Sequence, residues 1–232
     1  MVLAKLILAH LIGDFFLQTK NGIANKNVKK WKSPSLFIHS LIHFLLVIIV
    51  LWELSYWYIA LIIGVTHYII DGVKLTLRSE ENKRTAFFLD QFAHFGILFI
   101  VWFVFFEPEL STRIGNNFWI ILTGVVLVTY PASYTMQYFM MGWSQQLKFD
   151  ENASLKGAGT YIGILERLFI LAAIIAGNLY IIGFLLAAKS IFRFGDLTNA
   201  KDRKLTEYIL IGTLMSFLIA IATGFAIINI IG

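Results

Sequence analysis

The sequence contains no cysteine, and only 14% of its 232 residues are charged. Without cysteine the chain forms no disulfide and offers no thiolate, so that any metal site must use His, Asp or Glu. Soluble domains typically carry about 25% charged residues. Here 58% of the residues are hydrophobic, and the mean hydropathy is +0.76. This composition excludes an ordinary soluble domain and indicates a membrane protein.

Apolar runs long enough to cross a bilayer recur along the chain and predict an all-α polytopic membrane protein with about eight transmembrane helices. We expect residues 2–18 to remain as a helix, because they lack the basic segment and cleavage site of a signal peptide. Residues 1–110 and 111–232 are predicted to form two four-helix regions. The predicted spans are residues 2–18, 35–53, 56–76, 87–106, 118–140, 158–176, 178–194 and 205–230.

Lysine and arginine are distributed unevenly between the predicted connections. The first, third, fifth and seventh connections, with the adjoining helix ends, carry most of them, whereas the intervening connections hold only Arg113. Basic connections stay in the cytoplasm, so we predict an inner-membrane protein with both termini outside. No basic patch is interleaved with exposed aromatic residues, and the expected partners are therefore membrane lipids rather than nucleic acid. The basic connections lie within residues 20–32, 74–84, 148–156 and 189–204.

Polar residues with metal-binding side chains recur four positions apart in each of the first four predicted spans. All five histidines of the chain lie in this half. Residues four apart share one helix face and are separated by about 6 Å along the axis. The four pairs are His10 with Asp14, His39 with His43, His67 with Asp71, and Asp90 with His94.

The order of the residues within these pairs follows the predicted direction of each helix. His precedes Asp on the two inward helices, and Asp precedes His on the outward fourth helix. We therefore expect one imidazole from each helix about two turns from the cytoplasmic end, and a second layer, mostly of carboxylates, about one turn from it. The expected imidazole layer is His10, His43, His67 and His94.

A four-helix bundle that gathers these eight residues matches a metal centre with one or two ions. Imidazole and carboxylate ligands suit Zn, Mn, Fe, Co or Ni. One alternative is a network of hydrogen bonds and ion pairs that only holds the helices together. Polar groups in a membrane are costly, and eight coordinated positions favour a metal or proton site. Haem with two axial histidines is less favoured, because haem binding does not account for the carboxylates.

Further polar residues are candidates for binding a substrate. Gln18, Gln91 and Lys74 lie one turn from the pairs, where they can orient ligands or bind an oxyanion. In the second half, Arg167 and Lys189 are candidates for a cationic pocket that binds a phosphate or lipid headgroup next to the metal site. The alternative is that Lys189 and Arg193 are only interfacial residues. Glu166 and Arg167 are adjacent and should have separate partners on neighbouring helices.

The stretches HLIGDFFLQ, HSLIH, HYIIDGVK and LDQFAHF, followed by GILERLFI, AAKSIFRF and EYILIGTLMS, resemble an uncharacterised family of prokaryotic multi-pass membrane proteins. That family is catalogued as a domain of unknown function, so the resemblance implies site positions and no activity. A more distant likeness is to bacterial inner-membrane metal-dependent hydrolases, which also carry His and Asp on membrane helices.

The leading hypothesis is a metal-dependent hydrolase that acts on an amphipathic phosphate or ester at the cytoplasmic leaflet. His39 is then a ligand or general base, and Lys74 helps to hold the anionic substrate with Arg167 and Lys189. The rival hypotheses are a divalent-cation or proton transporter, and a non-catalytic metal- or haem-binding sensor. A transporter needs polar groups that continue to the outer face, whereas here they stop near mid-membrane.

The loop charges make a prediction about topology. Reporters fused after Lys30 and after Lys201 should report the cytoplasm, and a reporter fused at Glu109 should report the outside, because the basic connections remain in the cytoplasm. Paired phosphatase and fluorescent-protein fusions at each position measure this directly. A cytoplasmic signal at Glu109 would contradict the orientation and the depth assigned to the eight residues.

Overall fold

The computed structural model describes residues 1–106, 117–147, 155, 157–194 and 203–232, with only the backbone of residues 192–194. All regular elements in these ranges are helical. The chain divides into two compact units, Met1–Thr123 and Gly124–Gly232. The boundary predicted near residue 110 lies outside the described residues, as do the loop positions Arg113, Lys148, Lys156 and Lys201.

Ten α-helices lie in the described parts of the chain. The first five are α1 (Val2–Phe15), α2 (Lys20–Lys29), α3 (Pro34–Leu51), α4 (Trp57–Leu77) and α5 (Lys83–Phe105). The next five are α6 (Asn117–Leu127), which reaches the boundary between the units, α7 (Tyr130–Ser144), α8 (Ala158–Ile175), α9 (Tyr180–Phe194) and α10 (Arg203–Ile231). Short 3₁₀ turns cover Lys30–Lys32 and Leu54–Tyr56.

Six helical segments of the described chain are long and apolar enough to cross a membrane, or seven if α1 and the bent segment after it form one span. The six are Pro34–Leu51, Leu54–Leu77, Lys83–Phe105, Asn117–Ser144, Ala158–Ile175 and Arg203–Ile231. The remaining predicted span, residues 178–194, corresponds to α9, whose apolar part Tyr180–Ile191 is shorter. The structure therefore agrees with an all-helical chain with several candidate membrane spans.

The first connection, a polar and basic stretch between two predicted spans, is itself mostly helical, with α2 over Lys20–Lys29 and a 3₁₀ turn over Lys30–Lys32. The hydroxyl of Thr19 accepts a hydrogen bond from the Gly22 amide and caps α2. Such a cap compensates the free amides of a first turn and can start a helix in a polar sequence. The segment Lys20–Lys32 turns back at 84° to α1. A hydropathy pattern does not detect this helix, because its sequence is not apolar.

The core of the first unit is an apolar layer directly beside the histidines. In this unit α1 contacts α3 and α5, and α4 contacts the same two helices. Buried apolar residues lie one helical turn from each imidazole, on the side away from its paired Asp or His. This core contains Leu6, Val47, Ile63 and Leu98, each at most 4% exposed. In each of these four helices, therefore, the polar pair lies next to the same close-packed apolar layer.

The second unit has its own core between α8 and α10. Ile170 and Ile174 of α8 pack against Phe217 and Ala220 of α10. Gly224 permits this contact, because a Cβ at that position would overlap the Ile174 side chain. The predicted spans 158–176 and 178–194 leave room only for a short connection, and the structure has a turn at residues 176–179, in which Gly177 has a φ of 70°.

Candidate metal centre

The eight residues predicted from the paired spacing lie together in the first unit. Each pair keeps to one helix: α1 carries the first, α3 the second, α4 the third and α5 the fourth. Seven of the eight residues are at most 4% exposed, and the Asp14 side chain is 10% exposed. Polar residues so deeply buried need partners, because an unpaired polar group in an apolar region is costly.

The four histidines of the expected imidazole layer contact one another. The rings of His43 and His67 are stacked with centroids 3.6 Å apart, and those of His67 and His94 are stacked at 4.0 Å. The ring of His10 lies 5.0 Å from that of His94 and 5.6 Å from that of His43. Four helices thus bring one imidazole each to a single small region.

The Asp14 carboxylate lies among side chains from three other helices. Its Oδ1 atom is 3.1 Å from the Nε2 atoms of His39 and His43 and 3.4 Å from Nε2 of His67. Its Oδ2 atom accepts a hydrogen bond of 3.0 Å from Nε2 of Gln91. The carboxylate therefore connects α1 to α3, α4 and α5 through direct contacts with their side chains.

The Nε2 atom of His39 has more close neighbours than it can bind through hydrogen atoms. It lies 3.1 Å from Asp14 Oδ1, 3.1 Å from His67 Nε2 and 3.2 Å from the amide nitrogen of Gln18. A ring nitrogen of neutral imidazole is either one donor or one acceptor. If this atom accepts the proton of the Gln18 amide, at least one of its contacts with Asp14 and His67 has no proton to bridge it, as between two ligands of one cation.

Two other buried atoms of the cluster have no hydrogen-bond partner among the described residues. They are Oδ1 of Asp90 and Nε2 of His94, which lie 3.4 Å apart. Most buried polar atoms of folded proteins are hydrogen-bonded, so each exception requires a cause. Both atom types are metal ligands. An ion bound between them would compensate both.

Three groups of side chains have ligand atoms within 4.8 Å of one another. The largest draws on three helices, and the other two each share a member with it. The residues present thus offer enough His and Asp ligands for a transition-metal ion with the nitrogen and oxygen coordination such ions accept. The groups are His10 with Asp14, His43 and His67; His39 with His67 and Asp71; and Asp14 with Asp90 and His94.

The glutamines predicted beside the pairs contact the ligand residues. Gln91 lies 3.3 Å from His10 and donates to Asp14 and to Oδ2 of Asp90, and Gln18 donates to His39. Contacts of this kind orient metal ligands. Gly13 is also required for the geometry, because a Cβ there would overlap the His43 ring.

Lys74 binds two of the carboxylates. Its Nζ atom donates a hydrogen bond of 2.6 Å to Asp90 Oδ2 and lies 3.6 Å from Asp71 Oδ1. With a side chain 23% exposed, it is more accessible than the carboxylates it binds, which are 1% and 5% exposed. Lys74 therefore presents a cation at the margin of the cluster.

Sequence reasoning missed Lys26, which was assigned only to a cytoplasmic connection. Its side chain is 6% exposed, and its ammonium donates a 2.8 Å hydrogen bond to Oδ2 of Asp71. Trp31 fixes the same segment, since its indole donates to Thr76 and its ring covers Gly72. The sequence contained one signal for a second cation: the motifs hold three carboxylates but only one neighbouring lysine, Lys74.

Arg167 and Lys189, which were predicted to bind substrate, belong to the second unit and have partners there. The Arg167 guanidinium donates to the carbonyls of Val128 and Thr129 and to the hydroxyls of Ser133 and Ser216. Lys189 donates a 2.7 Å hydrogen bond to Glu166. Adjacent Glu166 and Arg167 thus have the separate partners expected of them, and Arg167 compensates carbonyls at the break between α6 and α7.

Comparison with known proteins identifies one family. The sequence profile of a family described as Protein of unknown function (DUF3307) matches residues 2–123. The matched region contains all four His and Asp pairs, and it ends before the stretches of the second half that also contributed to the resemblance. No curated protein and no solved structure matches the chain significantly.

The Lys26 contact makes a prediction about stability. Lys26→Met should lower the free energy of unfolding by about 3–5 kcal/mol, because it leaves the Asp71 carboxylate buried with one cation fewer. Lys29→Met, an exposed position on the same helix, is the matched control and should melt like the parent. Thermal unfolding of metal-free protein in one detergent measures the difference. Equal midpoints for the two variants would mean that Lys26 is not buried against Asp71.

Proposed function

The chain belongs to the DUF3307 family of proteins of unknown function, and we propose that its matched region is a membrane-embedded metal site of a hydrolase. The observation that carries the proposal is the buried group of His10, Asp14, His43 and His67, whose ligand atoms lie within 4.8 Å of one another. Four such atoms from three helices are the ligand set of a single transition-metal ion.

The distances between ligand atoms support this assignment. Ligands about 2.0–2.1 Å from a tetrahedral ion are about 3.3–3.4 Å from one another. The Asp14 Oδ1 atom lies 3.1 Å from His43 Nε2 and 3.4 Å from His67 Nε2. Small adjustments of these side chains would therefore complete a coordination sphere.

The charges of the cluster also favour a cation. The cluster contains the carboxylates of Asp14, Asp71 and Asp90 and only two ammonium groups, those of Lys26 and Lys74, which pair with Asp71 and Asp90. The cluster therefore carries one net negative charge when its imidazoles are neutral, and a net charge in an apolar region is costly. A divalent ion or bound protons would compensate it. The donor set suits Zn, Mn, Fe, Co or Ni, with one ion or two.

Haem is a weaker candidate for the same site. A porphyrin with two axial histidines needs a slot between their rings. The rings of His43, His67 and His94 are instead stacked at 3.6 and 4.0 Å. This close stacking favours ions without a macrocycle.

The residues around the ligands supply the other parts of a hydrolytic site. A bound metal lowers the pKa of its water and polarises a scissile phosphoryl or acyl group. His39 is the proposed general base or a further ligand, since its Nε2 atom lies 3.1 Å from Asp14 and 3.2 Å from the Gln18 amide. Lys74 would bind the anionic group of an amphipathic phosphate or ester. Arg167 and Lys189 remain predicted substrate-binding residues.

An apolar layer favours an enzyme over a transporter. Leu6, Val47, Ile63 and Leu98 lie one turn beyond the imidazoles and are 0–4% exposed. A hydrated ion that left the cluster in this direction would have to cross close-packed side chains, where a charge costs at least about 2.5–3.5 kcal/mol. An enzyme that opens on one side needs no such path.

We further propose that α1, α3, α4 and α5 form a four-helix bundle around the site in an inner-membrane protein of about eight spans. The basic connections, which include Lys29, Lys30 and Arg78, support a cytoplasmic position for this end of the helices, with both termini outside. Each of the four helices contacts two of the others. That cyclic contact supports the bundle.

Metal content tests the proposal directly. Protein purified without chelator should contain one or two transition-metal ions per chain, and the double substitution His67→Ala with Asp71→Ala should remove most of them, because it takes ligands from two of the groups. Elemental analysis by mass spectrometry gives the stoichiometry. Asp14→Asn, which keeps the side-chain shape, is a second variant that should lower the content.

The matched control is Glu80→Ala with Glu81→Ala, which removes two exposed carboxylates from the neighbouring connection. Its metal content should equal that of the parent. If metal is absent from the folded parent protein, or is unchanged in both ligand variants, the cluster is a structural network of hydrogen bonds and ion pairs.

Turnover and ion flux separate the enzyme from its rivals. Detergent-solubilised protein with its native metal should hydrolyse a phosphorylated or ester-linked amphiphile, and Asp90→Asn should abolish turnover, because a neutral amide weakens ligation. Proteoliposomes should show no ion flux that depends on the site. Saturable flux that is lost in Asp90→Asn would instead establish a transporter, and bound metal with neither activity would favour a sensor.

A further inference from the structure

A cavity of about 450 Å³ lies between α4 and α5, beside the ligand groups. Its walls are mostly apolar and include Val73 and Leu77 of α4 and Leu89 and Ala93 of α5. Leu77 and Leu89 are 69% and 64% exposed, as expected of side chains that face lipid. The volume lies within the range of about 300–1,000 Å³ found for ligand sites.

The inner end of this groove reaches the candidate metal centre, because Lys74 and Asp90 also line it. Only Lys74 offers a charge there, since the Asp90 side chain is 1% exposed and its Oδ2 atom already accepts from Lys74 and Gln91. An ammonium group has three donors. The nearest carboxylates take at most two of them, so one remains for a ligand.

A different side of the cluster is covered. Helix α2 folds back against α3, and the Lys26 ammonium binds Asp71 there. Trp31 holds the segment on α4, because its carbonyl accepts from Tyr68 and its indole donates to Thr76. Among the described residues of the first unit, the groove between α4 and α5 thus joins a lipid-facing surface to a charged residue of the site.

We propose that this groove binds the hydrocarbon chain of a membrane amphiphile whose anionic headgroup is bound by Lys74. Apolar walls that end in a single accessible cation match a molecule with a long chain and a negatively charged head. The ligand would reach the groove sideways from the bilayer. The consequence of binding, hydrolysis at the metal, rests on the proposed function, whereas binding itself does not require the metal.

The test uses a dodecyl phosphate that carries a diazirine in its chain and a terminal alkyne for detection. The full-length protein is labelled by light in detergent, and the modified peptides are located by mass spectrometry. Labels should concentrate on α4 and α5 along the groove. A probe with the same chain and a trimethylammonium head should label these peptides at least fivefold less, because that head has no oxygen atom to accept a hydrogen bond from Lys74.

Two matched substitutions test the location. Val73→Trp fills the groove and should reduce labelling at least fivefold, whereas Val104→Trp, at a 61% exposed position of α5 outside the cavity lining, should leave it unchanged. Ala93→Leu narrows the same groove from α5 and replaces Val73→Trp if that variant does not fold. Equal labelling of the groove and control variants, or equal labelling by both probes, would overturn the proposal.

Two further arms separate the source of the anion and the role of the metal. Inorganic phosphate at millimolar concentration should not displace the probe, because the chain supplies the additional binding; complete displacement would mean that the groove does not hold the chain. Labelling should persist after metal removal and in His67→Ala. A protein that is labelled but contains no metal would therefore refute the proposed function and leave the amphiphile site intact.

Discussion

The Asp14 carboxylate is the contact on which the first unit depends. Its two oxygen atoms reach His39 and His43 on α3, His67 on α4 and Gln91 on α5. A carboxylate in an apolar environment is tolerated only where partners surround it, so these helices must present their polar faces to the same point. The apolar layer beside the imidazoles then packs because the polar pairs fix the register of the helices.

The same constraint explains the two lysines. The side chains of Asp71 and Asp90 are only 5% and 1% exposed. Each accepts a hydrogen bond from one ammonium group. The lysines compensate two negative charges but leave one carboxylate among five imidazoles. The residual charge and the unpartnered atoms of Asp90 and His94 together make the cluster suitable for a cation. The stability of the first unit and the affinity that we propose for a cation would therefore depend on the same few contacts.

The two units use buried charge differently. In the first, ligand atoms converge and two of them lack a partner. In the second, the buried Arg167 has its donors directed to carbonyls and hydroxyls near the break between α6 and α7, where Pro131 follows. A guanidinium satisfied in this way stabilises an interrupted helix. The family match covers the unit with the converging ligands, which is the unit to which the proposed chemistry belongs.

The helical class, most helix positions and the eight polar residues of the candidate site follow from the amino-acid sequence alone. A period of four places paired side chains on one face whatever the surroundings, and membrane-length apolar runs leave the backbone few alternatives to a helix. The reversal of the pairs on antiparallel helices even indicated which imidazoles would meet, and these rings lie in contact.

Which lysines reach the candidate site depends on the packing of the helices and could not be predicted from the sequence. Lys26 and Lys29 lie on the same polar helix, and the amino-acid composition does not distinguish them. In the structure, Lys26 is buried against Asp71, whereas Lys29 is exposed. The bend after α1 and the contacts of Trp31 place Lys26 there, and Trp31 is held by Tyr68 and Thr76, which are distant in the chain. Likewise, the groove between α4 and α5 forms where the small and lipid-facing side chains of these two packed helices do not fill the space between them. Local periodicity contains no information about such long-range contacts.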